Sequence, residues 1–283
     1  MRLGIFSLCA IVLISSCART RIKDHPEWGK EFENYGIKDA CFIMRDHNHE
    51  SIQYYNQARC TQRFLPASTF KIFNSLVALY TAVAPDEHLM IKWDGVHRRT
   101  DWDTDMTMQQ AFKVSCVPYY QEIARRIGQG RMQHYLDTVK YGNMTIGGAI
   151  DTFWLNNSLQ ISADEQIGFL KKMYFYELPF DERTQRIVKG MMLREETPQY
   201  KLYYKTGMGR KGDNYVYWVV GFAERTVHMK ELEGSMNKAD FREYPYFFAE
   251  NFELPASDTT KEWTQVRIDV LKNILRDYEV LPK

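Results

Sequence analysis

The sequence predicts a mixed α/β fold, an antiparallel sheet flanked by helices with a helical lobe inserted between its early and late strands. Strand-like segments lie toward both ends of the chain, at residues 40–57 and again at 200–207, 214–224 and 244–254. Between them, from Ser68 to about residue 195, apolar residues follow the helical period instead. The tail returns to helix. Runs of one secondary-structure type enclosing runs of the other point to a discontinuous sheet around a helical insertion.

Each element has its own reason. Residues 40–57 alternate around the polar turn "DHNHES", which reads as two paired strands. Ile72, Phe73, Leu76, Val77 and Tyr80 make one apolar helical stripe; Ile123, Ala124 and Ile127 make a second. Ile167, Leu170 and Met173 mark a third helix, and Ile187, Val188, Met191 and Met192 a fourth. "YKLYYKTG", "NYVYWVVGFAE" and "YPYFFAENFEL" are rich in Tyr, Val and Phe and separated by polar loops, so they read as strands. From Thr259, the residues Trp263, Val266, Val270, Leu271 and Ile274 fall on one helical stripe.

Composition bounds the partners. The 283 residues carry 37 basic and 36 acidic side chains, a formal charge of +1, which gives no electrostatic case for nucleic acid. At 45% hydrophobic and 14% aromatic residues, the chain is large enough for one large domain or two interleaved lobes with a sizeable core. Its start, "MRLGIFSLCAIVLISSCAR", has a basic residue and then an apolar run from Leu3 to Ile14, too short to span a bilayer comfortably. Ending in Ile14-Ser15-Ser16-Cys17, it resembles a bacterial lipoprotein signal. The expected organisation is a signal over 1–16, a tether over 17–27 and one domain over 28–283, with lipid on Cys17 holding an exported, periplasmic domain to a membrane. An ordinary cleaved signal is the alternative. Export permits a disulfide between Cys41 and Cys60, left open because strand register decides it, while Cys116 is expected as a buried free thiol. His47 and His49 lack a further ligand at useful spacing, and no metal site is expected.

Three short motifs carry chemistry. Ser68 and Lys71, in "FLPASTFKIFNSL", stand one helical turn apart on one face at the start of an apolar helix. There the free N–H groups of a helix start favour a developing oxyanion. A second Ser-x-x-Lys, Ser235 to Lys238, lies in a polar stretch and reads as surface. Ser115-Cys116-Val117 is unremarkable alone, as is the turn Tyr141-Gly142-Asn143. Lys205-Thr206-Gly207, read as the end of a strand, offers an ammonium, a hydroxyl and a close-approach backbone to a carboxylate-bearing ligand.

In this order the three motifs resemble the active-site set of penicillin-recognising acyl enzymes. Within that group the sequence resembles the class D (oxacillinase-type) serine β-lactamases over roughly residues 28–283, through "RFLPASTFKI", "IKWDG", "VSCVP", "MQHYLDTVKYGN", "GGAIDTFWLNNSLQISADEQIGFL", "YKTG" and "WVVGFAE". The resemblance implies the penicillin-recognising transpeptidase/β-lactamase fold and hydrolysis of the β-lactam amide, giving antibiotic resistance. It implies Ser68 as nucleophile and Lys71 carboxylated by CO₂ or bicarbonate, with no other cofactor. Apolar neighbours would keep Lys71 neutral enough to react, Val117 and Trp154 shaping its surroundings and the Trp154 indole N–H holding the carbamate. Ser115 and Lys205 would pass a proton to the leaving nitrogen. The backbone N–H groups of Ser68 and Met208 would form the oxyanion hole. Thr206, Gly207 and Arg267 would hold the substrate carboxylate, and Tyr120 and Leu155 would line the apolar wall. The family commonly has Pro at Phe73, an aromatic at Met208 and Trp at Val219. A β-lactam-sensing domain and a D-Ala-D-Ala peptidase are the alternative functions, and a homodimer is left open.

Overall fold

A computed structural model describes residues 20–228 and 241–283. Among the described residues, seven strands form one sheet: β1 (Arg21–Asp24), β2 (Asp39–Asp46), β3 (Ser51–Tyr55), β4 (Leu193–Glu196), β5 (Tyr200–Lys211), β6 (Asn214–His228) and β7 (Phe241–Pro255). Their order is β1-β3-β2-β7-β6-β5-β4, antiparallel throughout except for the parallel β1–β3 pair. The main helices are α1 (Lys71–Tyr80), α2 (Met108–Lys113), α3 (Val117–Ile127), α4 (Gln129–Val139), α5 (Ala163–Tyr174), α6 (Glu182–Met192) and α7 (Trp263–Asp277). Helices α1 to α6 all come between β3 and β4 in the chain, as the switch of period predicts.

The central strands are covered on both faces, which is why β6 and β7 read as nearly continuous apolar runs. Val216, Trp218, Val220, Phe222, Phe247 and Ala249 join the core on the side of α1 and α5. Their neighbours Tyr217, Val219, Ala223, Phe248 and Phe252 join a second core, with Val270, Leu271 and Ile274 of α7. Alternation along each strand therefore assigns every side chain to one layer or the other.

Several expectations shift. Residues 21–24, placed in the tether by sequence, form β1 and pair with Ser51–Tyr54. The late strands are longer than their aromatic runs, because polar residues continue the ladder: Lys211 pairs with Asn214 across a turn in which Gly212 has φ +60°. Helix α7 starts at Trp263, four residues after Thr259. Cys41 and Cys60 are buried free thiols, Cys41 on β2 and Cys60 on the short helix Gln57–Cys60, where its sulfur points at the carbonyls of Phe42 and Tyr55. Cys116 is likewise buried and free. Cys17 with the signal, and the pair Ser235 and Lys238, lie outside the described residues.

Helix α5 begins with a reciprocal cap. The Ser162 hydroxyl accepts from the Glu165 N–H at 3.2 Å, and the Glu165 carboxylate accepts from the Ser162 N–H at 2.9 Å. The cap fixes where Gln166 enters the core, and the Gln166 side-chain amide donates to the Thr69 hydroxyl at 3.0 Å. Ser162→Ala should lower stability by about 1 kcal/mol, read as a shift in the urea midpoint at unchanged slope.

Candidate active site

The turn that carries Ser68 is held from three directions. Residues Ala67–Phe70 form a single 3₁₀ turn leading into α1, entered through Ala67 at φ +47°. The Ala67 N–H donates to the Trp154 carbonyl at 3.2 Å, and the Trp218 indole on β6 donates to the Leu65 carbonyl at 3.0 Å. Thr69 donates to the Pro66 carbonyl at 2.8 Å while accepting from Gln166. A left-handed alanine persists only where its surroundings fix it, and these bonds do so.

Lys71 opens α1, and its ammonium nitrogen donates to Ser68 Oγ at 2.9 Å. The side chain is 1% exposed, and burial lowers its pKa to about 7. The Tyr120 ring lies 5.3 Å from the nitrogen. Tyr120 is fully buried beside the lysine and bonded to Ser75 through its hydroxyl at 2.8 Å. Trp154 is fully buried and stacked on Phe70 at 5.4 Å. Its Nε1 is an unpartnered buried donor. A buried donor without a partner is the kind of group that a bound acceptor would satisfy.

Ser115 sits between α2 and α3 at φ +59°, an uncommon conformation for serine. Lys205 on β5 donates a short hydrogen bond to its hydroxyl and a second, of 3.0 Å, to the Thr206 carbonyl. Burial first, and then the positive charges of Lys71, Arg194 and Arg267, hold the Lys205 pKa well below the usual lysine range. Among the described residues these four cations donate to hydroxyl or carbonyl oxygens and none to a carboxylate. The site is therefore built to receive an anion. Arg194, which follows α6 without a motif to mark it, escapes sequence reading; its guanidinium stands 5.9 Å from the Phe112 ring, and the Lys205 nitrogen stands 5.6 Å from the same ring.

Lys205-Thr206-Gly207 lies in the middle of β5, not at its end. A Cβ on Gly207 would stand 2.9 Å from the Pro66 carbonyl oxygen and 3.0 Å from Thr69, so glycine lets the strand lie flush against the Ser68 turn. Arg267 of α7 reaches the same point, donating to the Gly207 carbonyl at 2.7 Å and the Thr264 carbonyl at 3.2 Å. Burial lowers its pKa to about 10, with Glu250 as the main opposing charge. Thr206, Leu155 and Val117 are half-buried, and Met208 is exposed.

Comparison with known proteins decides the family. Residues 30–230 match the penicillin binding protein transpeptidase domain. β-Lactamase OXA-48 of Klebsiella pneumoniae is 35% identical over 280 residues, covering 99% of this chain and 97% of that protein. The chain belongs to the class D β-lactamases. The probable β-lactamase YbxI of Bacillus subtilis is 44% identical over 191 residues, 67% of this chain and 71% of that protein. The class D β-lactamase of Sebaldella termitidis superposes with a TM-score of 0.83 at 30% identity, covering 93% of this chain and 100% of that one. As a class D β-lactamase the enzyme acts on the β-lactam amide, on the mixed α/β transpeptidase fold described above.

Gly207→Ala in this β-lactamase should push β5 away from the Ser68 turn. The rate of covalent labelling by a fluorescent penicillin should fall roughly 100-fold, with the unfolding midpoint moved little by comparison.

Proposed function

We propose that the enzyme opens β-lactams through a Ser68 acyl-enzyme, with Lys71 carboxylated as the proton acceptor. The observation that carries this reading is a buried lysine, its pKa lowered to about 7, at 2.9 Å from Ser68 Oγ. A neutral amine is what reacts with CO₂, forming an N–C bond and losing one proton, and burial among apolar residues supplies that neutral form. Carboxylated, Lys71 supplies an anionic proton acceptor for the Ser68 hydroxyl and later for water. Trp154 Nε1, buried without a partner, is the donor that would hold it.

Around this centre the other residues take separate roles. Ser68 Oγ bonds to the lactam carbonyl carbon while the backbone N–H groups of Ser68 and Met208 stabilise the oxyanion. As the ring C–N bond breaks, Ser115 gives its proton to the nitrogen and is reprotonated from Lys205, its hydrogen-bonded partner. Thr206, Gly207 and Arg267 hold the substrate carboxylate, a planar guanidinium suiting a two-oxygen anion. Leu155 and Val117 keep the surroundings apolar. The proton taken from Ser68 passes on to Lys205, freeing the Lys71 anion; water then gives that anion a proton while its oxygen bonds to the ester carbonyl carbon, and as the bond to Ser68 Oγ breaks the proton returns to Oγ.

A lipid anchor on Cys17 is proposed from Ile14-Ser15-Ser16-Cys17, a run of small residues before a cysteine after an apolar stretch. It would tether the domain to a membrane facing the periplasm.

Two experiments test these proposals. Nitrocefin turnover should disappear in Ser68→Ala. After acid decarboxylation of the wild type, bicarbonate should restore turnover, the more so as pH rises through about 7, where Lys71 loses its proton. Trp154→Ala should accumulate acyl-enzyme and recover partly in excess bicarbonate. Wild-type turnover indifferent to bicarbonate would reject the carboxylated lysine and leave Ser68 in place. Separately, Cys17→Ala should move the protein from the membrane to the soluble fraction on sedimentation, and an unchanged membrane fraction would exclude lipid on that sulfur.

A further inference from the structure

Strand β7 runs Tyr246-Phe247-Phe248-Ala249-Glu250-Asn251-Phe252, and a glutamate at its centre contradicts everything around it. Glu250 is fully buried. Neither carboxyl oxygen has a hydrogen-bond partner. An acid is not placed in such a position by packing alone, since desolvation of the ionised form is expensive.

Register shows where it looks. Glu250 pairs with Phe42 on β2 and with Val219 on β6, and Val219 pairs in turn with Thr206 on β5. Paired residues share a sheet face. Phe42 and Val219 belong to the core under α7, so Glu250 faces that layer, in line across the sheet with Thr206. Arg267 enters the same layer from α7 and reaches the Gly207 carbonyl beside Thr206.

The titratable groups around the pair are few. Arg267 is the charged group that acts on Glu250 from α7, and the Cys41 thiol acts on it from β2. Tyr217 on β6 and Tyr204 on β5 act on Arg267, and Arg267 in turn acts on Lys205 on β5. Burial raises the Glu250 pKa well above the carboxylate range, and Arg267 alone opposes the rise.

We propose that Glu250 is a positioning residue for substrate recognition, an acid buried on the sheet face beneath Arg267 that competes, when ionised, with the substrate carboxylate for the guanidinium. The proposal rests on Arg267 as the carboxylate-binding residue. While Glu250 is protonated, the Arg267 charge is unopposed and available to the substrate. Above the raised pKa, Glu250 becomes an internal anion, and attraction for a negatively charged ligand weakens. The direction is fixed: carboxylate-bearing substrates bind less well as pH rises, and neutral ones do not change.

The test compares a penicillin with its methyl ester, which lacks the anion. In the wild type, the ratio of KM for the acid to KM for the ester should rise roughly three- to tenfold as pH is raised over the range in which the enzyme stays folded, with a smaller change in the ratio of kcat values. Glu250→Gln, and Glu250→Leu as an apolar replacement suited to the layer, should abolish the rise in the KM ratio. A wild-type KM ratio that is flat over this range, or a rise that persists in both variants, overturns the proposal. Arg267→Ala separates its premise: loss of discrimination between acid and ester supports Arg267 as the anion site, and unchanged discrimination removes that reading together with the role of Glu250.

Discussion

Burying Lys71 beside Ser68 is the constraint on which the rest of the molecule depends. An ammonium in an apolar layer is costly, and the fold lowers that cost by shifting the lysine toward its neutral form, with the Ser68 hydroxyl as its one hydrogen-bond partner among the described residues. This demands a layer deep enough to exclude water, and the aromatic cluster of Phe70, Phe73, Tyr141, Phe153 and Trp154 provides it. The main helices inserted between β3 and β4, α1 to α6, build that layer against the sheet.

The sheet contributes precision. The turn carrying Ser68 is held by hydrogen bonds of its neighbours Ala67 and Leu65 to the Trp154 carbonyl and the Trp218 indole, residues distant in sequence. The strand carrying Lys205 can approach because Gly207 and Gly209 have no side chain to collide with the turn at Leu65–Thr69. Alternation on β5 then sends Lys205 toward the layer of Ser115 and Thr206 toward the layer of Arg267, so one strand presents its basic and hydroxyl groups on opposite faces. Both depend on a single register.

Much of this was legible in the sequence, for identifiable reasons. Ser68, Lys71, Ser115 and Lys205 stand in short motifs whose local spacing survives folding, and the apolar periods mark the helices that surround them. What spacing could not disclose depends on long-range packing. Tyr120 sits on a helix face that closes against α1, so it is buried behind Lys71. Polar ladder residues carry β5 past Gly207, hiding the fact that the motif is central in its strand. Arg194 and Glu250 follow no motif at all. Their importance comes from neighbours on other strands and helices, and only the register of the sheet brings them beside Lys205 and Arg267.

The strand order has a consequence for access. β1, where the described chain begins, occupies one border of the sheet, whereas β5 lies next to the opposite border. Five inter-strand spacings separate them, roughly 24 Å. Whatever restrains the residues ahead of Arg21 therefore pulls on the edge remote from Ser68. Strain applied at that border would have to cross β3, β2, β7 and β6 before it reached the strand that carries Lys205.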